Sequence, residues 1–285
     1  MACGADLKGA FALAKGNDAF LVDGFGDLSD IDNFIRYERA VKYYGKSLGV
    51  SPKAIACDLH PSYFSTSFAG GFASRVKGSR LVEIQHHEAH IASAIADNSI
   101  KGGVIGVAFD GTGFGSDGNI WGGEFFAGNI ENLRRVARLE YIAMPGGEAA
   151  VREPWRMAAS FLYSAFGGDF LNLDIDFVKN LDKKKWRVLK DMIDKKINSP
   201  LTSSVGRLFD AVGSLILLKG KIQKEAEIPI EMEKIAPNFC EDVYGFDNSQ
   251  KGEISAIDAS CVIRGVVKDL SKGIEKGVIS AKFHN

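Results

Sequence analysis

A cluster of three histidines within five residues is the strongest chemical signal in the sequence, which reads Gln85-His86-His87-Glu88-Ala89-His90. On an α-helix, residues four apart lie one above the other, with Cβ atoms about 5–6 Å apart. His86 and His90 could therefore bind one metal ion. Pairing His87 with His90 is the weaker geometric alternative, and hydrogen-bonded imidazoles without a metal are the structural alternative. The metalloprotease pattern H-E-x-x-H is excluded, because residue 91 is isoleucine.

A glycine-rich segment at residues 110–118 reads D-G-T-G-F-G-S-D-G. It formally matches the dinucleotide fingerprint G-x-G-x-x-G, but that fingerprint must open a helix. Residues 120–126 instead predict a strand, so the segment is interpreted as a strand–loop–strand hairpin whose N–H groups can bind an anion. Asp110, at the end of the first strand, could bind a metal or orient a cation. A plain glycine hairpin is the alternative.

A pair of arginines forms a third candidate group. Arg152 and Arg156 are four residues apart around a predicted helix start. Both guanidinium groups could therefore face one anion. The alternative is a set of ion pairs with Glu148 and Glu153, which are common on protein surfaces and contribute little to stability.

The elements that must position these residues follow an α/β pattern. Apolar runs predict strands at residues 54–57, 81–84 and 104–109, and the last is nearly continuous, as in a strand covered on both faces. One-sided periodicity predicts a helix over residues 87–97. Together these elements predict a first α/β lobe at residues 1–150, which carries the histidines and the hairpin.

The second half of the chain is predicted to be mainly helical. Pro154 suits the start of a helix over residues 155–166, and Ser204 suits the N-cap of a helix reaching residue 218. The second helix carries Asp210, which together with Glu225 could accept hydrogen bonds from ribose hydroxyls, although this signal alone is weak. Residues 151–285 are therefore predicted to form a helical segment and the start of a second lobe.

Composition narrows the functional classes. The 285 residues include 35 basic and 36 acidic side chains, with a net charge of −1. This balance provides no basic surface for nucleic acid and no polybasic membrane patch. No apolar stretch approaches the roughly 18 residues of a membrane-spanning helix, and the first residues lack the pattern of a secretory signal. A cytoplasmic location is predicted, without nucleic-acid or membrane partners.

Read in order, these segments resemble the C-terminal domain of the hydrogenase maturation carbamoyltransferases, the HypF family. The resemblance implies an α/β fold of the actin-like ATPase (ribonuclease H-like) type, related to the universal tRNA threonylcarbamoyl-transfer protein. It rests on these runs: A-C-D-L-H-P at 56–61, Q-H-H-E-A-H at 85–90, V-A-F-D-G-T-G-F-G at 107–115, I-W-G-G-E-F at 120–125, P-G-G at 145–147, R-E-P-W-R-M-A at 152–158 and G-R-L-F-D-A at 206–211.

The resemblance also implies a reaction. In the family, carbamoyl phosphate and ATP become carbamoyl-adenylate in a separate upstream domain. The actin-like domain then transfers the carbamoyl group to the C-terminal cysteine of a partner maturation protein, toward the cyanide ligands of the nickel–iron site. The implied site residues are His86, His90 and Asp110 for an iron or zinc ion, Gly111, Thr112 and Gly113 for the phosphates of ATP or carbamoyl-adenylate, and Asp210 and Glu225 for the ribose.

The chain also departs from the family pattern. The upstream domains and a later S-G-G loop are missing, so the chain is interpreted as truncated at both ends, with an incomplete second lobe, and is expected to turn over poorly. Ala226 and Glu227 stand where the family usually has Gly and Gln. Two alternatives follow: a degenerate module that only binds a nucleotide or a partner, and a carbamoyltransferase acting on a small-molecule hydroxyl.

Overall fold

The computed structural model describes residues 1–224 and 226–285, which divide into two compact units, Met1–His90 and Ile91–Asn285. The strands are β1 (Ala2–Cys3), β2 (Phe11–Lys15), β3 (Asp18–Val22), β4 (Ala54–Asp58), β5 (Arg80–Ile84), β6 (Val104–Phe114), β7 (Ile120–Asn129), β8 (Asn132–Leu139), β9 (Ile142–Ala143), β10 (Leu201–Thr202), β11 (Asp247–Lys251) and β12 (Ile254–Asp258). The helices are α1 (Ile31–Ser47), α2 (Phe64–Ala73), α3 (His86–Asp97), α4 (Glu148–Arg152), α5 (Trp155–Phe166), α6 (Asp176–Lys179), α7 (Lys183–Asp194), α8 (Val205–Leu217), α9 (Glu227–Ile235), α10 (Ser260–Ser271) and α11 (Lys276–His284). None of the helices in this described part is both long and apolar enough to cross a membrane.

The first unit is a five-stranded sheet in the order β3-β2-β1-β4-β5. The first three strands are antiparallel, and β4 and β5 run parallel to β1. Asp58 pairs with Ile84 at the carboxyl ends of β4 and β5, and α3 begins two residues after Ile84. The predicted strands at 54–57 and 81–84 are confirmed, and the predicted helix begins at His86, one residue earlier than expected.

The second unit contains a sheet in the order β11-β12-β8-β7-β10-β9, with β6 also paired to β7. Helices α5 and α8 contribute to its largest apolar core, where Met157, Leu162 and Leu215 are at most 2% exposed. The predicted helix over 155–166 is confirmed. So is the cap on α8, where Ser204 Oγ accepts a hydrogen bond from the Arg207 N–H at 3.1 Å.

The compact units divide between His90 and Ile91, whereas the sequence placed the boundary at residue 150. The reason is strand pairing across the expected boundary. β10 pairs in parallel with β7, and β12 pairs in parallel with β8. The hairpin therefore shares a sheet with the later part of the chain, a relation that local sequence periodicity does not contain.

The prediction that residues 104–109 are covered on both faces is wrong for β6. Gly106 and Ala108 face the interior, whereas Ile105 is 81% exposed and Phe109 is 60% exposed. The apolar run thus alternates between a buried face with small side chains and an exposed face with large ones. Apolar character on both faces of a strand does not require that both faces be covered.

Ala226 adopts a left-handed backbone conformation with φ of +55° at the start of α9. This conformation costs a residue with a Cβ roughly 1–2 kcal/mol of conformational free energy relative to glycine. The greater conformational freedom of glycine in the unfolded chain offsets part of this difference. Ala226→Gly is therefore expected to raise the free energy of unfolding by about 1 kcal/mol in urea denaturation.

The matched control for this substitution is Ala94→Gly, because Ala94 is exposed on the regular helix α3. There glycine is expected to lower the free energy of unfolding, by up to about 1 kcal/mol. Equal losses from both substitutions would contradict the assignment of strain to Ala226.

Candidate functional site

The start of α3 fixes the orientation of the histidine cluster in the first unit. The side-chain oxygen of Gln85 accepts hydrogen bonds from the backbone N–H groups of His87 at 2.7 Å and Glu88 at 3.1 Å. Because these groups have no partner within the helix, this cap defines its first turn. His86 is consequently the first helical residue, and His90 lies one turn further along.

His86 and His90 face each other on one side of α3. Their Nε2 atoms are 3.1 Å apart, and the planes of the two rings are nearly perpendicular. Two nitrogen ligands on one ion at about 2.0–2.1 Å lie roughly 3–3.5 Å from each other, so this donor set and separation suit a shared metal. His87 is fully buried, with Nδ1 3.2 Å from Gln85 Nε2. The structure thus favours His86 with His90 over His87 with His90.

A carboxylate lies directly behind His86. Asp58 Oδ2 is 2.7 Å from His86 Nδ1, and their side chains are 7% and 17% exposed. Asp58 Oδ1 accepts a hydrogen bond from the His60 N–H at 2.8 Å. Burial alone would raise the pKa of Asp58, but its hydrogen bonds with His86 and His60 outweigh burial and hold that pKa below the usual value. Asp58 is therefore an ionised carboxylate at neutral pH.

A cavity of about 370 Å³ adjoins the two imidazoles within the first unit. His86, Ala89 and His90 line it from α3, and apolar groups that include Phe11 and Ala56 line it from the sheet. The two histidines and Asp58 thus contribute the main polar groups of a mostly apolar pocket. Such a pocket lowers the effective dielectric constant around any ion or ligand held there.

The hairpin of the second unit is confirmed as strand–loop–strand, with a shorter turn than expected. β6 runs to Phe114, and the pairing of β6 with β7 shifts register between Phe109 and Gly113. Asp110 lies in this irregular stretch, where its Oδ1 accepts a hydrogen bond from the Gly111 N–H at 2.6 Å. Gly111, Thr112 and Gly113 therefore occupy a bulge or its edge, where backbone groups turn away from a regular ladder.

Close backbone packing holds this bulge against the start of α8. Ser204 Oγ lies 2.8 Å from the Asp110 carbonyl oxygen and 2.9 Å from that of Gly111, and it can donate to either. A Cβ on Gly122, where φ is +157°, would lie 2.4 Å from the Asp110 carbonyl oxygen, and one on Gly206 would lie 2.9 Å from the Gly111 Cα. Glycine is thus required at both positions for the backbones to approach.

Asp210 is buried beside Arg207, one turn earlier on α8. Arg207 Nη1 lies 2.6 Å from Asp210 Oδ2, and the two residues are 8% and 3% exposed. Burial raises the pKa of Asp210 to about 6, despite the lowering effect of the Arg207 charge. The predicted ribose carboxylate is therefore already paired with an arginine. The other predicted ribose contact, Glu225, lies outside the described residues.

Arg152 and Arg156 lie on different helices, since α4 ends at Arg152 and α5 begins at Trp155. Arg152 pairs with Glu148, and Arg156 Nε lies 2.6 Å from Glu153 Oε2. These are the ion pairs of the structural alternative. A role of the two arginines as an anion clamp stays a prediction.

Comparison with known proteins decides the family. Residues 1–97 match the model described as HypF Kae1-like domain, and residues 106–285 match the model described as carbamoyltransferase, Kae1-like domain, second subdomain. The chain belongs to the HypF family. The resemblance drawn from the sequence motifs is thereby confirmed.

Relatives within the HypF family align over most of this chain. A carbamoyltransferase HypF from Synechocystis sp. is 33% identical and covers 100% of the chain, which in turn covers 38% of that protein. A carbamoyltransferase HypF homolog from Cupriavidus necator is 35% identical over 84% of the chain and 60% of its own length. The chain therefore spans less than two thirds of either relative.

Solved HypF structures confirm the predicted α/β, actin-like fold class. The crystal structure of full-length HypF in the phosphate- and nucleotide-bound form matches 100% of this chain and 44% of its own chain, with a TM-score of 0.89 and 34% identity. The crystal structure of T. kodakarensis HypF matches 99% of this chain and 37% of its own, with a TM-score of 0.83 and 28% identity.

Three residues within the HypF motifs form polar contacts that the motifs alone do not predict. They are Asp58, Glu124 and Arg207, and each lies close to another polar group. Asp58 contacts a candidate ligand, Arg207 contacts Asp210, and Glu124 is fully buried with Arg135 Nη2 at 2.5 Å. Only the spacing of three between Arg207 and Asp210 carried a signal, because residues three apart meet on a helix.

Proposed function

We propose that this chain is the carbamoyl-transfer part of a HypF-type carbamoyltransferase. In this proposal it transfers the carbamoyl group of carbamoyl-adenylate, made from carbamoyl phosphate and ATP, to the C-terminal cysteine thiol of a partner protein in nickel–iron hydrogenase maturation. The observation that supports it best is the pair of imidazoles with Nε2 atoms 3.1 Å apart, in a chain whose structural neighbour was solved with phosphate and nucleotide.

His86, His90 and Asp110 are proposed to hold an iron or zinc ion. Two imidazoles and a carboxylate are ligands that suit either metal, and the separation of the two Nε2 atoms fits ligands that share an ion. When bound, the ion would polarise the carbamoyl carbonyl as a Lewis acid. The other tasks fall to the protein: to bind the adenylate, to exclude water and to orient the thiolate.

The bulge at Gly111, Thr112 and Gly113 is proposed to bind the phosphate of the adenylate. Backbone N–H groups in such irregular turns form anion-binding concavities. In the transfer, the thiolate sulfur forms a bond to the carbamoyl carbon while the bond from that carbon to the phosphate oxygen breaks. AMP leaves with the electron pair of the broken bond, so donors positioned at the phosphate stabilise the leaving group.

The proposed ribose and clamp residues are all engaged in ion pairs in this structure, apart from Glu225, which lies outside the described residues. Asp210 is proposed to accept from a ribose hydroxyl together with Glu225, which requires it to share its carboxylate with Arg207. Arg152 and Arg156 are proposed as a clamp for the phosphate or carbamoyl oxygen, which requires them to leave Glu148 and Glu153.

The existing ion pairs favour a second candidate function, a module that binds a nucleotide or a partner without catalysis. In that case Asp210 would stay paired with Arg207, and Arg152 and Arg156 would stay paired with their glutamates, as they are in this structure. The two candidates differ in whether the carbamoyl group moves.

The deciding experiment supplies the metal-loaded chain with carbamoyl-adenylate and a peptide that ends in cysteine. Mass spectrometry is expected to show one carbamoyl group on the peptide, and none when the terminal cysteine is replaced by serine. Binding of the adenylate without transfer would support the binding module. Equal transfer to the serine peptide would instead point to an enzyme acting on hydroxyls.

A further inference from the structure

The contact between Asp58 and His86 has a chemical consequence for the ring of His86. A carboxylate accepts hydrogen bonds and cannot donate them. At a distance of 2.7 Å between Asp58 Oδ2 and His86 Nδ1, the proton of the contact belongs to Nδ1. In a neutral imidazole, Nε2 then carries the lone pair, and Nε2 is the atom that faces His90.

We propose that Asp58 is the positioning residue of the metal centre, which fixes His86 in the Nδ1–H tautomer and aims its Nε2 at the ion. This inference rests on the metal site of the proposed function. Metal-binding histidines commonly donate their second ring N–H to a carboxylate, which fixes the tautomer and raises the basicity of the ligand. Asp58 meets this description from an element outside α3.

The fold holds Asp58 rigidly for this task. It ends β4 in register with Ile84, the last residue of β5, so the sheet delivers the carboxylate beside the start of α3. Its second oxygen accepts from the His60 N–H at 2.8 Å, and its backbone carbonyl accepts from Thr66 Oγ1 at 3.1 Å. Asp58 is thus held by hydrogen bonds at its side chain and at its backbone before it contacts His86. In a surface ion pair, by contrast, forming the contact carries the entropic cost of ordering both side chains.

The substitution Asp58→Asn tests the inference, because its amide can be expected to adopt a single orientation. The amide oxygen is needed by the His60 N–H, so the NH₂ group faces His86 Nδ1. Nδ1 must then accept, and the ring proton moves to Nε2, where it blocks coordination. Loss of such a second partner typically weakens metal binding by about 10–100-fold.

The experiment has two readouts. Competition between the metal-free chain and a chromophoric chelator for zinc is expected to give a dissociation constant roughly 10–100-fold higher for Asp58→Asn. Asp97→Asn, an exposed change on the same helix, is expected to leave it unchanged. In nitrogen NMR of the metal-free chain, His86 is expected to be protonated at Nδ1 in the wild type and at Nε2 in Asp58→Asn.

The two readouts separate failure of the inference from failure of the metal site. A wild-type chain that binds neither zinc nor iron refutes the metal site, while the tautomer of the metal-free ring still tests Asp58. Zinc affinity equal to wild type in a folded Asp58→Asn overturns the inference. So does an Nε2–H tautomer in the wild-type chain, a measurement that needs no variant to fold. Asp58→Glu, which keeps the carboxylate, is expected to recover part of the affinity.

Discussion

The double substitution His86→Ala plus His90→Ala is expected to abolish tight binding of zinc or iron by this chain. The two imidazoles supply both nitrogen donors of the proposed site, and their Nε2 atoms are 3.1 Å apart. Loss of an outer partner alone weakens metal binding by about 10–100-fold, so loss of both ligands is expected to weaken it further. Elemental analysis of the purified chain and titration with zinc measure the effect.

The matched control for the histidine pair is His284→Ala. His284 lies at the end of α11 in the second unit, where its Nδ1 is 2.8 Å from the Ser280 carbonyl oxygen. Removal of this imidazole is expected to leave the metal content unchanged. His87 is unsuitable as a control, because it is fully buried and its removal would leave a cavity. Undiminished metal content in the double variant would refute the metal centre.

Much of the scaffold around the site could be predicted from the sequence, because local patterns of apolar and capping residues indicate its strands and helices. The apolar run at 54–57 lies in β4, and the segment with one-sided periodicity after His86 forms most of α3. Ser204 caps α8, as expected for a serine that directly precedes a segment with helical apolar periodicity. The rejection of a dinucleotide fold was also correct, since β7 and not a helix follows the glycine-rich segment.

The remaining features depend on contacts between residues far apart in the chain. Asp58 and His86 are separated by 28 positions, and Ser203 donates to Glu124 across 79 positions. Helical spacing predicts that His86 and His90 meet, but it does not indicate which carboxylate lies behind them. The exposed face of β6 could not be predicted for a related reason. Apolar side chains favour burial, but their presence in the sequence does not identify an element that would cover them.

Glu124→Ala is expected to destabilise the second unit by about 3–5 kcal/mol, the range for removing one partner of a buried ion pair. Glu124 is fully buried, and its Oε2 lies 2.6 Å from Arg135 Nε. Its other oxygen accepts hydrogen bonds from the N–H groups of Gly122 at 3.2 Å and Gly123 at 3.3 Å and from the Ser203 hydroxyl. The substitution leaves these donors without their acceptor and removes the nearer carboxylate from a mostly buried guanidinium, which keeps its contacts with Asp117 at 3.7 Å and the Tyr141 hydroxyl at 3.2 Å. Urea denaturation is expected to show a lower midpoint at an unchanged slope.

One further variant separates the charge of Glu124 from its hydrogen bonds, and a second serves as an exposed control. Glu124→Gln keeps one oxygen for the glycine N–H groups but removes the nearer of the two negative charges beside Arg135, so an intermediate loss of stability is expected. Glu131→Ala, an exposed glutamate at the turn after β7, is expected to change the free energy of unfolding by less than about 0.5 kcal/mol. A loss for Glu124→Ala no larger than that of Glu131→Ala would contradict the assignment.

The stabilisation lost in Glu124→Ala is expected to depend on Arg135, because the two side chains are ion-paired. The Arg135 Cζ also lies 3.6 Å from the centroid of the Trp121 ring. Adding Arg135→Ala to Glu124→Ala should therefore cost less than the sum of the two single losses, by about 0.5–3 kcal/mol, as for residues in contact. Strict additivity would mean that the pair contributes independently. Because Glu124 is in β7 and Arg135 is in β8, a coupled loss would show that the buried charge pair joins these two neighbouring strands of the second unit.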